Sequence, residues 1–126
     1  MPLVAKSIKL KKRSRLLAIE FSNGELAELD FEYLRVFSPS AEVRGHGVGQ
    51  EVLQYGKKEV AIEGLEAIGH YALKISFDDG HDSGLYTWQY LLDLHQQFEQ
   101  NWQGYIKRLA DAGLAREANT QVLKFP

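Results

Sequence analysis

Cysteine is absent from this chain of 126 residues. Its absence excludes disulfide bonds, thiolate nucleophiles, iron–sulfur ligation and cysteine-based zinc sites. Apolar runs are short as well, since none approaches the ~20 residues that a membrane-spanning helix requires. Residues 1–6 contain no apolar core of a signal peptide. We therefore expect a soluble cytoplasmic protein that has no membrane partner.

The composition that remains is that of an ordinary globular protein. Hydrophobic residues make up 44% of the chain and charged residues 25%, values that are typical of a packed domain. A chain of this length forms one domain with its own core. We expect that domain over residues 1–113, followed by a flexible polar tail over residues 114–126.

Positive charge is concentrated near the N-terminus. Six cations lie within ten residues that contain no acid, and the rest of the chain carries 9 − 17 = −8. A basic segment is the minimum requirement for a nucleic-acid surface, but no aromatic residue is interleaved to stack on bases. Lysines also protect an exposed strand edge. Nucleic-acid binding by this hairpin is therefore an alternative and not the preferred prediction. The six cations are Lys6, Lys9, Lys11, Lys12, Arg13 and Arg15.

The chain contains a repeat of itself. Residues 17–24 and 73–80 share the pattern Leu-x-Ile-x-Phe-x-Asn/Asp-Gly at an offset of 73 − 17 = 56 residues. Each copy continues into a second strand and a short helix, where Tyr33 and Tyr90 match at an offset of 90 − 33 = 57. The residue added to the second copy falls in the turn that contains His81. Two copies predict a strand-turn-strand-helix pseudo-repeat whose second turn is specialised.

Turn signals predict an α+β fold built from small antiparallel hairpins. Asparagine or aspartate followed by glycine favours tight hairpin turns, and hairpins make neighbouring strands antiparallel. The turn dipeptides are Asn23-Gly24, Gly69-His70 and Asp79-Gly80. We expect strands over residues 7–11, 15–21, 25–28, 59–63, 65–68 and 73–77, and a returning strand at residues 85–86.

Two C-terminal helices are predicted to follow. From Trp88 onward, apolar residues recur at helical spacing. Thr87 can cap the first of these helices and Asn101 the second, as Asp30 can cap the short helix of the first repeat. Gly113 is a suitable C-terminal stop.

The specialised turn, residues 78–88, combines three carboxylates with one histidine. Aspartates in turns commonly do no more than hydrogen-bond the turn backbone, and this remains one interpretation of Asp78, Asp79 and Asp82. His81 has no comparable role in a turn. It is therefore a candidate ligand-binding residue.

A second candidate segment lies at residues 38–58, where regular structure is expected to stop. Glu42, Arg44 and His46 are polar at alternating positions, so an extended chain would place them on one side. The nearby glycines do not form a phosphate-binding fingerprint. A flexible loop and a ligand-facing loop both remain open.

These two segments also carry a family resemblance. Residues 38–47 read Ser-Pro-Ser-Ala-Glu-Val-Arg-Gly-His-Gly, and residues 77–88 read Phe-Asp-Asp-Gly-His-Asp-Ser-Gly-Leu-Tyr-Thr-Trp. Both resemble the bacterial domain-of-unknown-function family 971. That family is similar to the N-terminal domain of gamma-butyrobetaine hydroxylase, and the resemblance extends over residues 7 to 112.

The resemblance implies a fold and not a hydroxylase reaction. In the hydroxylases this small domain precedes the catalytic jelly roll and holds zinc with a Cys-x-Cys-x-x-Cys motif and one histidine. Those cysteines fall on Ser38, Ser40 and Val43 of this chain, and the histidine falls on His81. Serine and valine do not replace thiolates as zinc ligands, so we expect no zinc at residues 38–43 and no cofactor. Related domains attached to P-loop ATPases that carry iron–sulfur clusters imply an accessory role connected with metal-ion or iron–sulfur pathways.

The preferred prediction is a non-enzymatic binding or adaptor module that uses residues 38–47 and 78–88 to bind another protein. The alternative is a metal-dependent enzyme, or a metal-binding accessory protein, with His46, His81 and Asp82 as ligands, because imidazole and carboxylate suit several transition metals. The predicted binding residues are Glu42, Arg44, His46, Asp79, His81, Asp82 and Tyr86.

The two segments are also predicted to meet in space, because one metal joins them in the related hydroxylase domain. With the metal lost, we expect charge-assisted hydrogen bonds from Arg44 to Asp79 or Asp82, and from His81 to the backbone of residues 38–46. A partly buried aspartate beside His81 would raise the pKa of its imidazole.

Overall fold

The computed structural model describes residues 2–45 and 51–118, which form two antiparallel three-stranded sheets and four helices. The α+β class and the two C-terminal helices are thereby confirmed. Within the described residues, no helix has the length and apolar character needed to cross a membrane. The elements are β1 (Ala5–Lys11), β2 (Leu16–Phe21), β3 (Leu26–Asp30), α1 (Phe31–Val36), α2 (Ala41–Arg44), β4 (Ile62–Ile68), β5 (Ala72–Phe77), β6 (Leu85–Thr87), α3 (Trp88–Gln96) and α4 (Phe98–Ala112).

The pseudo-repeat predicted from the sequence is confirmed in the topology. The strand orders are β1-β2-β3 and β4-β5-β6, and every pairing is antiparallel. Even an irregularity in the register recurs, between Ala5 and Ser7 in β1 and between Ile62 and Gly64 in β4. The offset is 62 − 5 = 57 residues. The two halves therefore share pairing detail as well as element order.

One hydrophobic core lies between the two halves. In the central strands β2 and β5 buried residues alternate with less buried ones, as expected of strands with one face on a core. The alternating apolar side chains pack into a single cluster together with residues of α1 and α3. The buried residues of these two strands in that cluster are Leu17, Ile19, Phe21, Leu73, Ile75 and Phe77.

Helix starts follow the capping residues that the sequence indicates. Asp30 accepts hydrogen bonds from the backbone N–H groups of Glu32 and Tyr33, and Thr87 accepts one from Tyr90. These bonds satisfy N–H groups that have no partner within the helix. Both predicted caps are confirmed, and each turns a strand directly into a helix.

The two helices that follow these caps are joined by a reciprocal pair of hydrogen bonds. Tyr33 Oη donates to the carbonyl of Leu94 at 2.6 Å, and Tyr90 Oη donates to the carbonyl of Phe37 at 2.5 Å. The donors are 90 − 33 = 57 residues apart and the acceptors 94 − 37 = 57, so each half makes the same bond to the other. Burial, the main cause, raises the pKa of Tyr33 to about 12. The repeats are therefore arranged about an approximate twofold relation.

Some predicted boundaries are wrong. The third strand is Leu26–Asp30 and not residues 25–28, and the two strands predicted at residues 59–63 and 65–68 are the single strand β4. Asn101 does not cap α4, which begins at Phe98. The amide of Asn101 instead donates to Tyr33 Oη at 3.0 Å.

The start of the expected tail is held against the domain. Backbone N–H groups of Gly56 and Lys58 donate to the carbonyls of Ala115 and Arg116 at 2.9 and 3.0 Å. The Arg116 guanidinium forms a two-point ion pair with the buried carboxylate of Glu32. Ala115 and Arg116 of the predicted tail therefore contact the domain, while residues 119–126 lie outside the described part of the chain.

Removing either reciprocal hydroxyl is expected to weaken the fold. Tyr33→Phe and Tyr90→Phe each leave a carbonyl without its hydrogen bond, so each should lower the free energy of unfolding by about 1–2 kcal/mol. Chemical denaturation would measure this loss. Tyr71→Phe is the control, because Tyr71 is 58% exposed and should change stability by less than ~0.5 kcal/mol. Equal effects of all three substitutions would contradict the bridging role.

Candidate functional site

The two candidate segments meet through their side chains. Ser38 Oγ lies 2.8 Å from His81 Nε2, and Ser40 Oγ lies 2.6 Å from Ser83 Oγ. Glu42 Oε2 lies 3.1 Å from His81 Nδ1. We call these five residues the junction. The prediction that the segments touch is confirmed, but serine and glutamate side chains make the contacts, and not the backbone bonds from His81 that the sequence suggested.

His81 is fixed from every side. Its backbone carbonyl accepts from Phe77 N–H at 2.9 Å, and its own N–H donates to Asp79 Oδ1 at 3.2 Å. An ionised carboxylate only accepts hydrogen bonds, so in neutral His81 Nδ1–H donates to Glu42 and Nε2 accepts from the Ser38 hydroxyl. The side chain of His81 is 3% exposed. Both ring nitrogens are therefore committed to protein partners.

The pKa of His81 is lowered, which corrects the expected increase. Burial is the main cause, and the positive charge of Arg35 adds to it. Glu42 and Asp79 act in the opposite direction but do not outweigh these two effects. The lowered pKa favours the neutral form of His81 at neutral pH, in which Nε2 can accept from the Ser38 hydroxyl.

Ser38, His81 and Glu42 are linked in the order serine–histidine–carboxylate, the same order as in the relay by which hydrolases activate a nucleophile. Sequence order gave no sign of it, because Ser38 and Glu42 precede His81 by about forty residues. Ser38 is only 1% exposed, and its Oγ also accepts from the backbone N–H of Ser40 at 3.3 Å. A nucleophile must reach its substrate. The relay therefore holds the two segments together and does not present a reactive hydroxyl.

Arg35 neutralises Asp79 in place of the expected Arg44. Asp79 Oδ2 accepts from Arg35 Nε at 2.9 Å and from Lys57 Nζ at 2.6 Å. Burial acts to raise the pKa of Asp79, but the hydrogen bonds from Lys57, the His81 backbone and Arg35 outweigh it and lower the pKa to about 2. The repeat could have indicated that Arg35 is buried. Its equivalent in the second copy, at position 35 + 57 = 92, is the buried Leu92. A charge at a position that is apolar in the other copy indicates a buried ion pair.

The other predicted residues are divided between surface and core. Residues 41–44 form the helical turn α2, so Glu42 and Arg44 do not share one side as an extended chain would require. Glu42 has a side chain 70% exposed, and Asp82 is exposed. Tyr86 was predicted to be a binding residue on the surface. It is instead fully buried and donates to the carbonyl of Leu34. His46 lies outside the described residues.

A groove opens beside the junction, between the α1–α2 segment and helix α4. Its volume is about 510 Å³, within the usual range for ligand sites. Two exposed arginines lie at its edge, each with its guanidinium over an aromatic ring: Arg44 is 5.0 Å from the ring centre of Tyr90, and Arg108 is 5.9 Å from that of Phe37. The lining residues described are Val36, Phe37, Ser38, Val43, Arg44, Gly45, Glu51, Val52, Leu53, Gln54, Tyr90, Tyr105 and Arg108.

The junction does not suit the zinc implied by the resemblance. Ser38, Ser40 and Val43 offer no thiolate, and His81 uses both ring nitrogens. Every buried side-chain nitrogen and oxygen within residues 2–45 and 51–118 has a hydrogen-bond partner. That same part of the chain contains no group of three metal-ligating side chains arranged around one point.

Comparisons with known proteins agree on one family. The family model described as gamma-butyrobetaine hydroxylase-like, N-terminal, matches residues 8–92. Two solution structures determined by NMR are similar at 48% and 44% identity, with TM-scores of 0.81 and 0.80. They cover 97% and 99% of this chain, and 96% and 94% of their own chains.

A crystal structure from Acidithiobacillus ferrooxidans is also similar. It is of a protein of unknown function in the DUF971 family, at 32% identity and a TM-score of 0.61, and the match covers 72% of this chain and 91% of that one. No significant match was found among curated proteins.

Gly84→Ala is expected to destabilise the junction. A Cβ at this position would collide with Ser38 Oγ and would lie 3.3 Å from Pro39 Cδ. Such overpacking typically costs about 1–3 kcal/mol, measurable as a lower melting temperature. Gly104→Ala is the matched control, because a Cβ there meets nothing within 4 Å and alanine favours a helix by about 1 kcal/mol. Opposite signs are expected, and a neutral Gly84→Ala would show that the contact is loose.

Stability should fall as the medium becomes mildly acidic. The folded-state pKa of His81 lies below its unfolded value of about 6.5. Between those two values the unfolded chain binds more protons, so stability is full above pH 6.5 and falls as the pH drops toward the folded pKa. Denaturation of the wild type and of His81→Gln between pH 7.5 and 5 would measure this. A smaller slope is expected for the variant, and an equal slope would assign the effect to other groups.

Proposed function

The chain belongs to the gamma-butyrobetaine hydroxylase-like N-terminal family, and from this premise we propose that it is a non-enzymatic protein-binding module, an adaptor whose contact surface is the groove beside the junction. The related crystal structure is of a protein of unknown function, and the support for the proposal therefore comes from the geometry of the site. One observation carries it: the polar residues of the junction bind one another, while the adjoining groove is mainly apolar and carries two exposed arginines and one glutamate, Glu51.

The chemistry of the groove supports binding in preference to catalysis. A general acid or base works best when its pKa is near the working pH. The described lining contains one carboxylate, Glu51, and no histidine, cysteine or lysine. Burial raises the pKa values of Tyr90 and Tyr105, which keeps both phenols protonated at neutral pH. The lining mainly supplies apolar side chains together with the charges of Arg44, Arg108 and Glu51, and apolar contacts with arginine are usual components of a recognition surface.

Metal-dependent chemistry remains the alternative and has less support. Its predicted ligands include His81, whose two nitrogens already bind Ser38 and Glu42. The predicted companion His46 lies outside the described residues. A metal would have to break the junction to bind His81, and the cost of those hydrogen bonds counts against such a site.

Nucleic-acid binding by the basic hairpin also has less support. Lys6 pairs with Glu20 at 3.8 Å, and Lys11 pairs with Glu28 at 3.0 Å. Arg15 packs over the ring of Phe31 at 5.6 Å. Half of the six cations are therefore engaged within the protein and not arranged to follow a phosphate backbone.

Photo-crosslinking at the groove tests the proposal. Val52 lines the groove and is 52% exposed, whereas Tyr71 is similarly exposed at a distant turn. Replacing either residue by p-benzoylphenylalanine in native cells should give a discrete protein adduct from position 52 and none from position 71. Absence of an adduct from position 52, or the same adducts from both positions, would contradict the adaptor function. Elemental analysis that finds a stoichiometric transition metal would favour the metal-dependent alternative.

A further inference from the structure

The repeat provides an internal comparison for the groove. Tyr33 and Tyr90 are equivalent residues and make equivalent hydrogen bonds across the two halves. Tyr33 is fully buried, because α4 packs Phe98 against its ring at 4.9 Å and Trp102 at 6.1 Å, both edge-on. Aromatic side chains of α4 therefore cover one copy of this tyrosine.

Among the described residues, no aromatic side chain of α4 covers the second tyrosine in this way. Tyr90 is only half-buried and lines the groove, with the Arg44 guanidinium 5.0 Å from its ring centre. Beside it lie the apolar side chains of Val36, Val43 and Val52. Val36 and Val43 are buried and Val52 is 52% exposed, so they form the apolar wall of a pocket with charged groups at its edge, the usual form of a binding site. By analogy with Tyr33, the missing cover is an apolar or aromatic side chain.

The two arginines at the groove edge indicate the charge of a complementary partner. Neither Arg44 nor Arg108 forms an ion pair with a carboxylate among the described residues. A guanidinium stacked on a ring still exposes its N–H edge, and that edge suits a carboxylate in a two-point hydrogen bond. Two arginines against the single carboxylate Glu51 give the described lining a net positive charge, which acidic side chains of a partner complement.

We propose that the groove binds a linear segment of a partner protein in which an apolar or aromatic side chain is flanked by aspartate or glutamate. The apolar side chain covers Tyr90 between Val36 and Val52, as Phe98 covers Tyr33. The carboxylates pair with Arg44 and Arg108. This inference rests on the proposed adaptor function and specifies the chemistry of the segment that the adaptor recognises.

A phage library of random 12-residue peptides, selected on the full chain, tests the specificity. Enriched peptides should contain an aromatic or large aliphatic residue within three positions of an acidic residue. A fluorescent synthetic copy of an enriched peptide should bind Arg44→Gln and Arg108→Gln about tenfold more weakly, because each loses a charged hydrogen bond. Lys107→Gln is the control and should bind like the wild type. Lys107 is next to Arg108 on α4 but does not line the groove. Raising the salt concentration should weaken binding.

A charge swap keeps the test valid if the neutral variants lose stability. Arg108→Glu should reject the acidic peptide and recover binding when the matching peptide residue is changed to lysine. Enriched peptides without acidic residues, no enrichment at all, or full binding by both glutamine variants would each overturn this inference. A dimer of the chain that Arg108→Glu dissociates would overturn it too, since the occupant would be a second copy.

The two proposals fail differently. An adduct from position 52 together with arginine-independent peptides would leave the adaptor function standing and remove only the acidic segment. No adduct from position 52 would remove the adaptor function, whatever the peptides show.

Discussion

The hydrogen bond between Ser38 and His81 fixes how the two halves of the chain meet at the site. Ser38 follows α1 of the first repeat, and His81 lies in the turn of the second. Fixing that point directs the chain from Ser38 into α2, and α2 supplies Val43 and Arg44 to the wall of the groove. Burial and the nearby Arg35 lower the pKa of His81, which favours the neutral imidazole whose Nε2 can accept from the Ser38 hydroxyl. The position of this groove wall therefore depends on the contact between Ser38 and His81.

Hydrogen bonds can replace a metal here because the junction does not have to hold the domain together by itself. A structural zinc contributes on the order of 10 kcal/mol or more to folding, whereas a hydrogen bond contributes about 1 kcal/mol net. The smaller contribution of the hydrogen bonds to folding is offset by the core that both repeats share and by the reciprocal bonds of Tyr33 and Tyr90. Serine can thus stand at positions where the resemblance implies cysteine, provided that nearby polar atoms find partners, as they do.

The sequence predicted what is local and missed what depends on burial. The caps at Asp30 and Thr87 and the hairpin turns were predicted correctly because these residues act on backbone a few residues away, whereas the cap predicted at Asn101 was wrong. The approach of the two segments followed from the resemblance. The predicted partner of Asp79, Arg44, was wrong. The actual partner, Arg35, lies in an apolar helix that sequence alone assigns to the core. The sign of the His81 pKa shift was wrong for the same reason, since desolvation depends on atoms that only the fold brings near.

Departures from the repeat mark the site more clearly than any motif does. Where both copies agree, as at Tyr33 and Tyr90, the residues hold the fold. Where they differ, the chain has added something: Arg35 in place of Leu92, an extra residue in the His81 turn, and a helix α4 that covers one tyrosine but not the other. A duplicated scaffold supplies two similar surfaces, and closing only one of them with its own C-terminal helix leaves the other available to a partner. The asymmetry of the chain is therefore the physical basis for its proposed binding role.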